Sequence, residues 1–520
     1  MPLARGRGEL TEAIPRMHPR RFIRDSIVYA TAQYIYRVLT MARGLIAARL
    51  LGPAPYGAWN AIQLIMDYGL LAAAGTFQGL DQTLPPRLVD GDPSIIDRTK
   101  RSGLFNVLLL SSLYAGLIVL YFSFSNGKIV AFWGLKGVLI AGVCVVLSNL
   151  GAYHINLLRA HNNMTAVSAW YLAQGTIGAG LALALLPKLG MWALLDGWLI
   201  GTAVASVVTL ASARRIAPLV PRASLESLAL IRAGAPMFLY SSSIILRSLD
   251  RAIILKFLEA EDLGYYSLAV TAMTLLLYLP DSVSFVLYPQ LLKRYRAGGD
   301  RPEAVRSQVE RTYQTLAVMV PALCGLAFLG ARDLIVTLLP KFVPGLDAVR
   351  LICFGAGGLA FVGLSAIVLM TLQRQKYLVP TALIGSLLGA GLDLVAVRLG
   401  TGITGVAFAT MIAYVINGVV MSSMAIAGLK GGRGATVSRV ASTFLPLAIS
   451  FVLAFGIDRL LPWPEGRGLS AHVTHLILAW GIFLPVYALF AYPFGRGTGL
   501  RQMLAELRPG WSRRAESADA

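Results

Sequence analysis

Residues 26–52, SIVYATAQYIYRVLTMARGLIAARLLG, decide the fold class. The stretch is long enough to cross a bilayer, which takes about 20 mostly apolar residues. It also carries Arg37, Arg43 and Arg49. An arginine at mid-membrane costs at least ~2.5 kcal/mol even on the gentlest scale, so it faces a protein interior or a wet cavity. A cationic helix in so apolar a chain suggests a path for something negatively charged. Arg49 lies near the end of the stretch and is expected to snorkel to the interface. For Arg37 and Arg43 two roles stand open, cavity lining and a structural ion pair.

The chain around this stretch has 520 residues, 56% hydrophobic and 14% charged, with a mean hydropathy of +0.66. A soluble chain would be about 25% charged. The composition is that of an all-α polytopic membrane protein. A net charge of +20 would suggest nucleic acid in a soluble protein. Here the excess of basic residues in cytoplasmic loops is a sufficient cause, and no nucleic-acid partner is expected. Cys144, Cys324 and Cys353 are scattered through apolar stretches and make neither a disulfide framework nor a metal cluster. Residues 1–25 are Arg-rich without an apolar core before a cleavage site, which reads as a cytoplasmic tail rather than a signal peptide.

Apolar runs bounded by polar or Gly/Pro turns predict about 14 transmembrane helices. They fall at 26–51, 56–82, 102–124, 129–153, 164–187, 191–213, 233–258, 262–290, 312–331, 346–372, 377–398, 401–428, 438–460 and 471–494. With the N-terminus in the cytoplasm and residues at span edges counted with the adjoining loops, the inner side holds 31 of the 46 Lys and Arg residues, the outer side eight, and the rest of the spans seven. That bias predicts a multi-pass protein of the cytoplasmic (inner) membrane with both termini cytoplasmic.

The chain also repeats itself. RGLIAARLLGPAPYGAWNAI from Arg43 echoes DRAIILKFLEAEDLGYYSLAV from Asp250 at an offset of 207, pairing Arg43 with Asp250 and Arg49 with Lys256. LLRAHNNMTAVSA (157–169) echoes TLQRQKYLVPTAL (371–383), and GMWALLDGWLIG from Gly190 echoes GITGVAFATMIA from Gly402. The three echoes keep one order. They predict two pseudo-symmetric six-helix lobes, 26–213 and 233–428, joined by a cytoplasmic connector at 214–232. Helices thirteen and fourteen, 438–494, and a cytoplasmic tail, 495–520, complete the chain.

ARLLGPAPYGAWNAI closing the first helix, LLRAHNN after the fourth and GITGVAFATMIAYVING in the twelfth resemble the polysaccharide-transport branch of the MOP superfamily, the oligosaccharide-lipid flippases. The resemblance runs over nearly the whole chain. It implies two six-helix lobes around an alternately opening cavity lined mainly by the first, second, seventh and eighth helices. It implies export of a polyprenyl-diphosphate-linked glycan for cell-surface polysaccharide biosynthesis, beside a polysaccharide polymerase and glycosyltransferases, with membrane lipids as surroundings. A multidrug or small-solute cation-coupled antiporter of the same superfamily is the alternative. No catalytic residue and no cofactor follow from the resemblance.

The residues add their own reading. In SSSIILRSLDRAIILKF, Arg247, Asp250 and Arg251 stand at i, i+3 and i+4, on one face of a continuous helix. They form either a locally neutralised cluster or a polar cavity wall. A diphosphate needs several cationic donors, and the planar guanidinium fork suits phosphate oxygens. Substrate-binding candidates are therefore Arg37, Arg43, Arg247 and Arg251. Asp67, mid-span, pairs with Arg37 or Arg43 or couples a cation. Asp250 and Asp281 are further charge-partner or coupling candidates, and Pro280 before Asp281 permits a kink. Lys136 is expected to snorkel. GAGGLA (355–360), Gly385 and Gly389 read as close helix packing. His472 and His475 have no third ligand near them in sequence, so no metal is expected there. No paired carboxylates or nucleophile elbow stand ready for catalysis, so the chain is not expected to be an enzyme.

Overall fold

The computed structural model describes residues 19–90, 92–125, 127–429, 432–462 and 468–495. Apart from 19–25 and 495, the expected basic tails lie outside the described residues. Those residues form sixteen α-helices, with no strand among them. They divide into two compact units, Met1–Ile245 and Leu246–Ala520.

The first unit holds α1 (Pro19–Leu51), α2 (Pro53–Gly69), α3 (Thr76–Asp90), α4 (Pro93–Ser123), α5 (Lys128–Ala160), α6 (Met164–Leu189), α7 (Trp192–Ala213) and α8 (Leu225–Ile245). The turn between α1 and α2 rests on Gly52, at φ 83°, followed by Pro53 at the first helical position. The second unit holds α9 (Leu249–Phe257), α10 (Ala260–Ala297), α11 (Glu303–Leu338), α12 (Leu346–Thr371), α13 (Leu378–Arg398), α14 (Gly402–Gly428), α15 (Arg433–Leu460) and α16 (Leu469–Gly495). Here Glu259 and Asp262 form a reciprocal capping box at the start of α10. Gly52 and Glu259 are the equivalent positions of the repeat. The same corner is thus made by different local chemistry.

Packing inside the units follows one plan. In the first, α1 lies on α6, α2 and α4 on α5, α5 on α7, and α6 on α7. In the second, α9 lies on α13, α10 and α11 on α12, α12 on α14, and α13 on α14. The two units thus share a packing plan, as pseudo-symmetric lobes require, and they divide at Ile245/Leu246, inside the expected seventh span. Helices α15 and α16 pack on α11, within the second unit. The glycine-rich run of α12 does bring helices close: a Cβ at Gly358 would sit 2.5 Å from the Tyr414 carbonyl oxygen of α14.

Two expected spans differ. Twelve helices among the described residues are long and apolar enough to cross a membrane, not fourteen. The stretch 26–51 is helical within α1 but is not among the twelve. The stretch 56–82 is not one helix. After α2 come a 3₁₀ turn, Leu70–Ala73, then Ala74 at φ 45° and Gly75 at φ 87°. Two successive left-handed residues cannot continue a right-handed helix. The seventh span is likewise interrupted, by the 3₁₀ turn Leu246–Ser248. Ahead of it the hydroxyls of Ser241, Ser242 and Ser243 donate back to the Met237, Phe238 and Tyr240 carbonyls, a pattern that bends helices. The chain passes from one unit to the other at this break. By contrast α10 runs unbroken through Pro280.

Candidate functional site

In the first unit α1 buries Arg43, which is 5% exposed. Its guanidinium lies 5.4 Å from the Trp59 ring centroid of α2 and 5.0 Å from that of Trp198 of α7. Among the described residues it makes no ion pair, and its Nε has no hydrogen-bond partner. Two indole faces hold a cation by quadrupole attraction, worth about 2 kcal/mol or more once water is excluded. Arg43 is therefore not the carboxylate partner expected for Asp67. Arg37 is half-buried, 6.0 Å from the Tyr34 ring. Asp67 is half-buried on α2, and Arg49 is exposed near the end of α1. Lys136 lies 5.7 Å from the Trp192 ring.

In the second unit the helix breaks within the Arg247, Asp250 and Arg251 cluster, yet Arg247 and Asp250 still line one cavity. Arg247 sits in the 3₁₀ turn, whereas Asp250 and Arg251 open α9. Asp250, 4% exposed, accepts the Arg251 amide at 2.6 Å and the Tyr266 hydroxyl at 2.7 Å. The Tyr266 hydroxyl lies 3.0 Å from that of Thr410, which donates at 3.0 Å to Asp393, 2% exposed. Arg247, Asp250, Ser386, Asp393, Thr410 and Tyr414 line a cavity of about 10 Å³. That is roughly the room one water or small cation needs.

Proton counting defines what this chain of oxygens can do. Its three contacts run Asp250–Tyr266–Thr410–Asp393, and the two hydroxyls supply two protons. With both carboxylates ionised, one contact is a repulsion between lone pairs. A proton on one carboxyl completes the chain, and a cation held against the Tyr266 and Thr410 oxygens would relieve the same repulsion. Asp281 is exposed on α10 and does not line this cavity.

A third buried carboxylate stands elsewhere in the unit. Asp333 of α11, 3% exposed, meets His472 Nδ1 at 3.2 Å and His475 Nδ1 at 2.8 Å, both from α16. The sequence gives these histidines no neighbouring carboxylate; the fold brings one from 139 and 142 residues away. They clamp α16 onto α11. No group of three His, Cys, Asp or Glu side chains among the described residues is disposed to hold a metal ion. Sequence reading also passed over Asp393 and Asp333. Each is a lone carboxylate in an apolar helix, a signal that was there to be used. The roles of Trp59, Trp198, Tyr266 and Thr410 had no such signal, since aromatics and hydroxyls abound in these helices.

The family model described as "Polysaccharide biosynthesis protein" matches residues 46–343. No curated protein sequence matches the chain. Among solved structures, lipid II flippase MurJ in an inward closed conformation is similar with a TM-score of 0.66 at 17% identity, covering 89% of this chain and 99% of that one. An inward-facing multidrug resistance MATE family transporter of the MOP superfamily is similar with a TM-score of 0.62 at 14% identity, covering 78% and 98%. A MOP superfamily transporter from Pyrococcus furiosus, described by the reverse polarity of its binding pocket, gives 0.55 at 16%, covering 79% and 96%. With the family match spanning more than half its length, the chain belongs to the polysaccharide biosynthesis protein family, and its fold is like that of these transporters.

Proposed function

We propose that the chain flips a polyprenyl-diphosphate-linked oligosaccharide across the cytoplasmic membrane by alternating access. One observation carries the choice of an anionic substrate. Arg43 is buried in an apolar bundle with aromatic faces around it and, among the described residues, makes no ion pair with a carboxylate. Its charge is left to attract an anion from outside the protein. Arg37, Arg247 and Arg251 are the further donors proposed for the diphosphate, whose oxygens suit bidentate guanidinium contacts. The test is Ala and Lys substitution of each of the four arginines, scored for glycan export and membrane abundance. At least one Ala variant should lose export at normal abundance, with partial recovery by Lys. Full export by all four Ala variants would discard the diphosphate reading.

A second observation favours coupling, as the antiporter alternative requires. The Asp250–Asp393 chain lacks one proton when both carboxylates are ionised. We assign to it the uptake of a proton or a monovalent cation, which fits a coupled flippase as well as an antiporter. Orientation is part of the same reading. The connector at 214–232, the loop at 294–306 and both tails are placed in the cytoplasm by the charge bias. A cysteine introduced at Gly299 should resist membrane-impermeant reagents in intact cells; labelling there would reverse the topology.

A further inference from the structure

The first unit builds a second polar cavity, at the end that the charge bias assigns to the cytoplasm. Asp92 caps α4 by accepting the Ser94 and Ile95 amides at 2.9 and 3.4 Å. The following turns carry Asp97, Arg98 and Arg101. The connector that returns to α8 is tied alongside. The Arg222 amide donates to the Arg101 carbonyl at 3.3 Å, and the Ser102 and Ser224 hydroxyls meet at 2.7 Å. Between them lies a cavity of about 610 Å³ lined by Ser94, Asp97, Arg98, Arg101, Arg222 and Glu226.

Its carboxylates are already engaged, Asp97 with Arg101 at 2.6 Å and Glu226 with Arg87 at 2.7 Å. Arg98 and Arg222 are exposed and make no ion pair among the described residues. The cavity thus keeps a positive excess. Beside it the connector presents Leu219, Val220 and Leu225, exposed by 82%, 60% and 93%. In water such a cluster is anomalous. At the level of lipid headgroups it is the expected arrangement, with apolar side chains among acyl chains and arginines at the phosphates.

We infer that this cavity binds the phosphodiester headgroup of an anionic phospholipid. Arg98 and Arg222 engage the phosphate oxygens, and Leu219, Val220 and Leu225 lie against the acyl chains. The site is separate from the arginines proposed for the transported diphosphate and does not depend on them.

The test is native mass spectrometry of the delipidated full chain in detergent with dioleoyl phosphatidylglycerol, dioleoyl phosphatidylcholine or sodium phosphate. Phosphatidylglycerol should be retained in clear preference to phosphatidylcholine. Arg98→Gln with Arg222→Gln should weaken its retention by about 30-fold, on the scale of ~1 kcal/mol per arginine at an anionic surface. Arg98→Gln alone should show an intermediate loss. Arg294→Gln with Arg296→Gln, the same charge removed from the second unit, should leave retention unchanged. Equal retention of the two lipids, an unaffected double variant, or the same loss in the second-unit control would each overturn the site. Displacement of phosphatidylglycerol by millimolar phosphate would instead make it a site for a soluble anion, and would overturn the lipid assignment.

Discussion

Arg43 in the first unit and Asp250 in the second stand at matching places in the repeat, 207 residues apart. Both are buried, and the two units solve the cost of burial in opposite ways. The first surrounds a cation with indole rings from α2 and α7. The second surrounds an anion with an amide and a tyrosine hydroxyl, then links it through Thr410 to another carboxylate. The helix packing plan is shared while the charge chemistry has diverged. A bundle held by small residues and apolar contacts tolerates such a change at one position, provided that the neighbours satisfy the new charge. On the reading proposed above, the first unit attracts an anion and the second takes up a proton or cation.

The largest expected effect concerns the third buried carboxylate of the second unit. Asp333 is met by imidazoles rather than by hydroxyls. Replacing His472 and His475 together by Ala should destabilise the protein by about 3–5 kcal/mol, because it strands a buried carboxylate. Adding Asp333→Leu should recover much of that loss, since removing both sides of a buried polar contact is far cheaper than removing one. Thermal unfolding in detergent reads both, and a double His variant as stable as the parent would show that the clamp does not hold α16.

The aromatic enclosure of Arg43 comes next. Trp198→Leu should cost about 2 kcal/mol through the lost cation–π contact, and Trp59→Leu somewhat less, given its longer distance. Phe at either position should restore part of it. If Leu and Phe behave alike, packing and not the ring face holds the guanidinium, and the contrast with Asp250 weakens.

Asp393→Asn sharpens the contrast from the other side. The amide is neutral and carries a permanent donor, so stability should change by no more than ~1 kcal/mol. Export should lose its dependence on the proton or cation gradient, measured in vesicles with and without an imposed gradient. Gradient dependence equal to the parent's would remove the coupling role from this network.

The smallest effect lies outside the membrane. Hydrogen bonds from the Ser94 hydroxyl and amide and the Ile95 amide hold the Asp92 carboxyl below the usual carboxylate range. A depressed carboxyl contributes stability above its unfolded value of about 3.9, and the contribution is lost as pH falls through the folded value. Asp92→Ala should therefore lower the thermal midpoint slightly at neutral pH and make no difference under strongly acid conditions. An equal decrement at both pH values would refute the cap.

Much of the fold was legible in the chain. The boundaries of most spans follow from apolar runs between turn residues, because a bilayer demands length and hydrophobicity of each segment separately. The repeat is legible because both lobes keep glycines and turns at matched places. The breaks in the second and seventh spans were not legible. The first hangs on left-handed conformations at Ala74 and Gly75, and alanine gives no warning of one. The second follows a serine run whose hydroxyls turn back on the backbone. Periodicity placed Arg247, Asp250 and Arg251 on one face of an unbroken helix; the helix breaks among them, and Arg247 and Asp250 meet at one cavity across the break.

The sequence by itself determined the membrane class, the two-lobe repeat and the presence of charge where the bilayer makes charge expensive. Each is a property of single segments or of their recurrence. Tertiary structure alone decided how the charges are satisfied. Trp198 reaches Arg43 from 155 residues away, Asp393 joins Asp250 through two hydroxyls on other helices, and His472 and His475 find Asp333 across the second unit. The physical reason is that a buried charge is neutralised by whatever the fold places within a few ångströms of it. Distance along the chain carries no information about that.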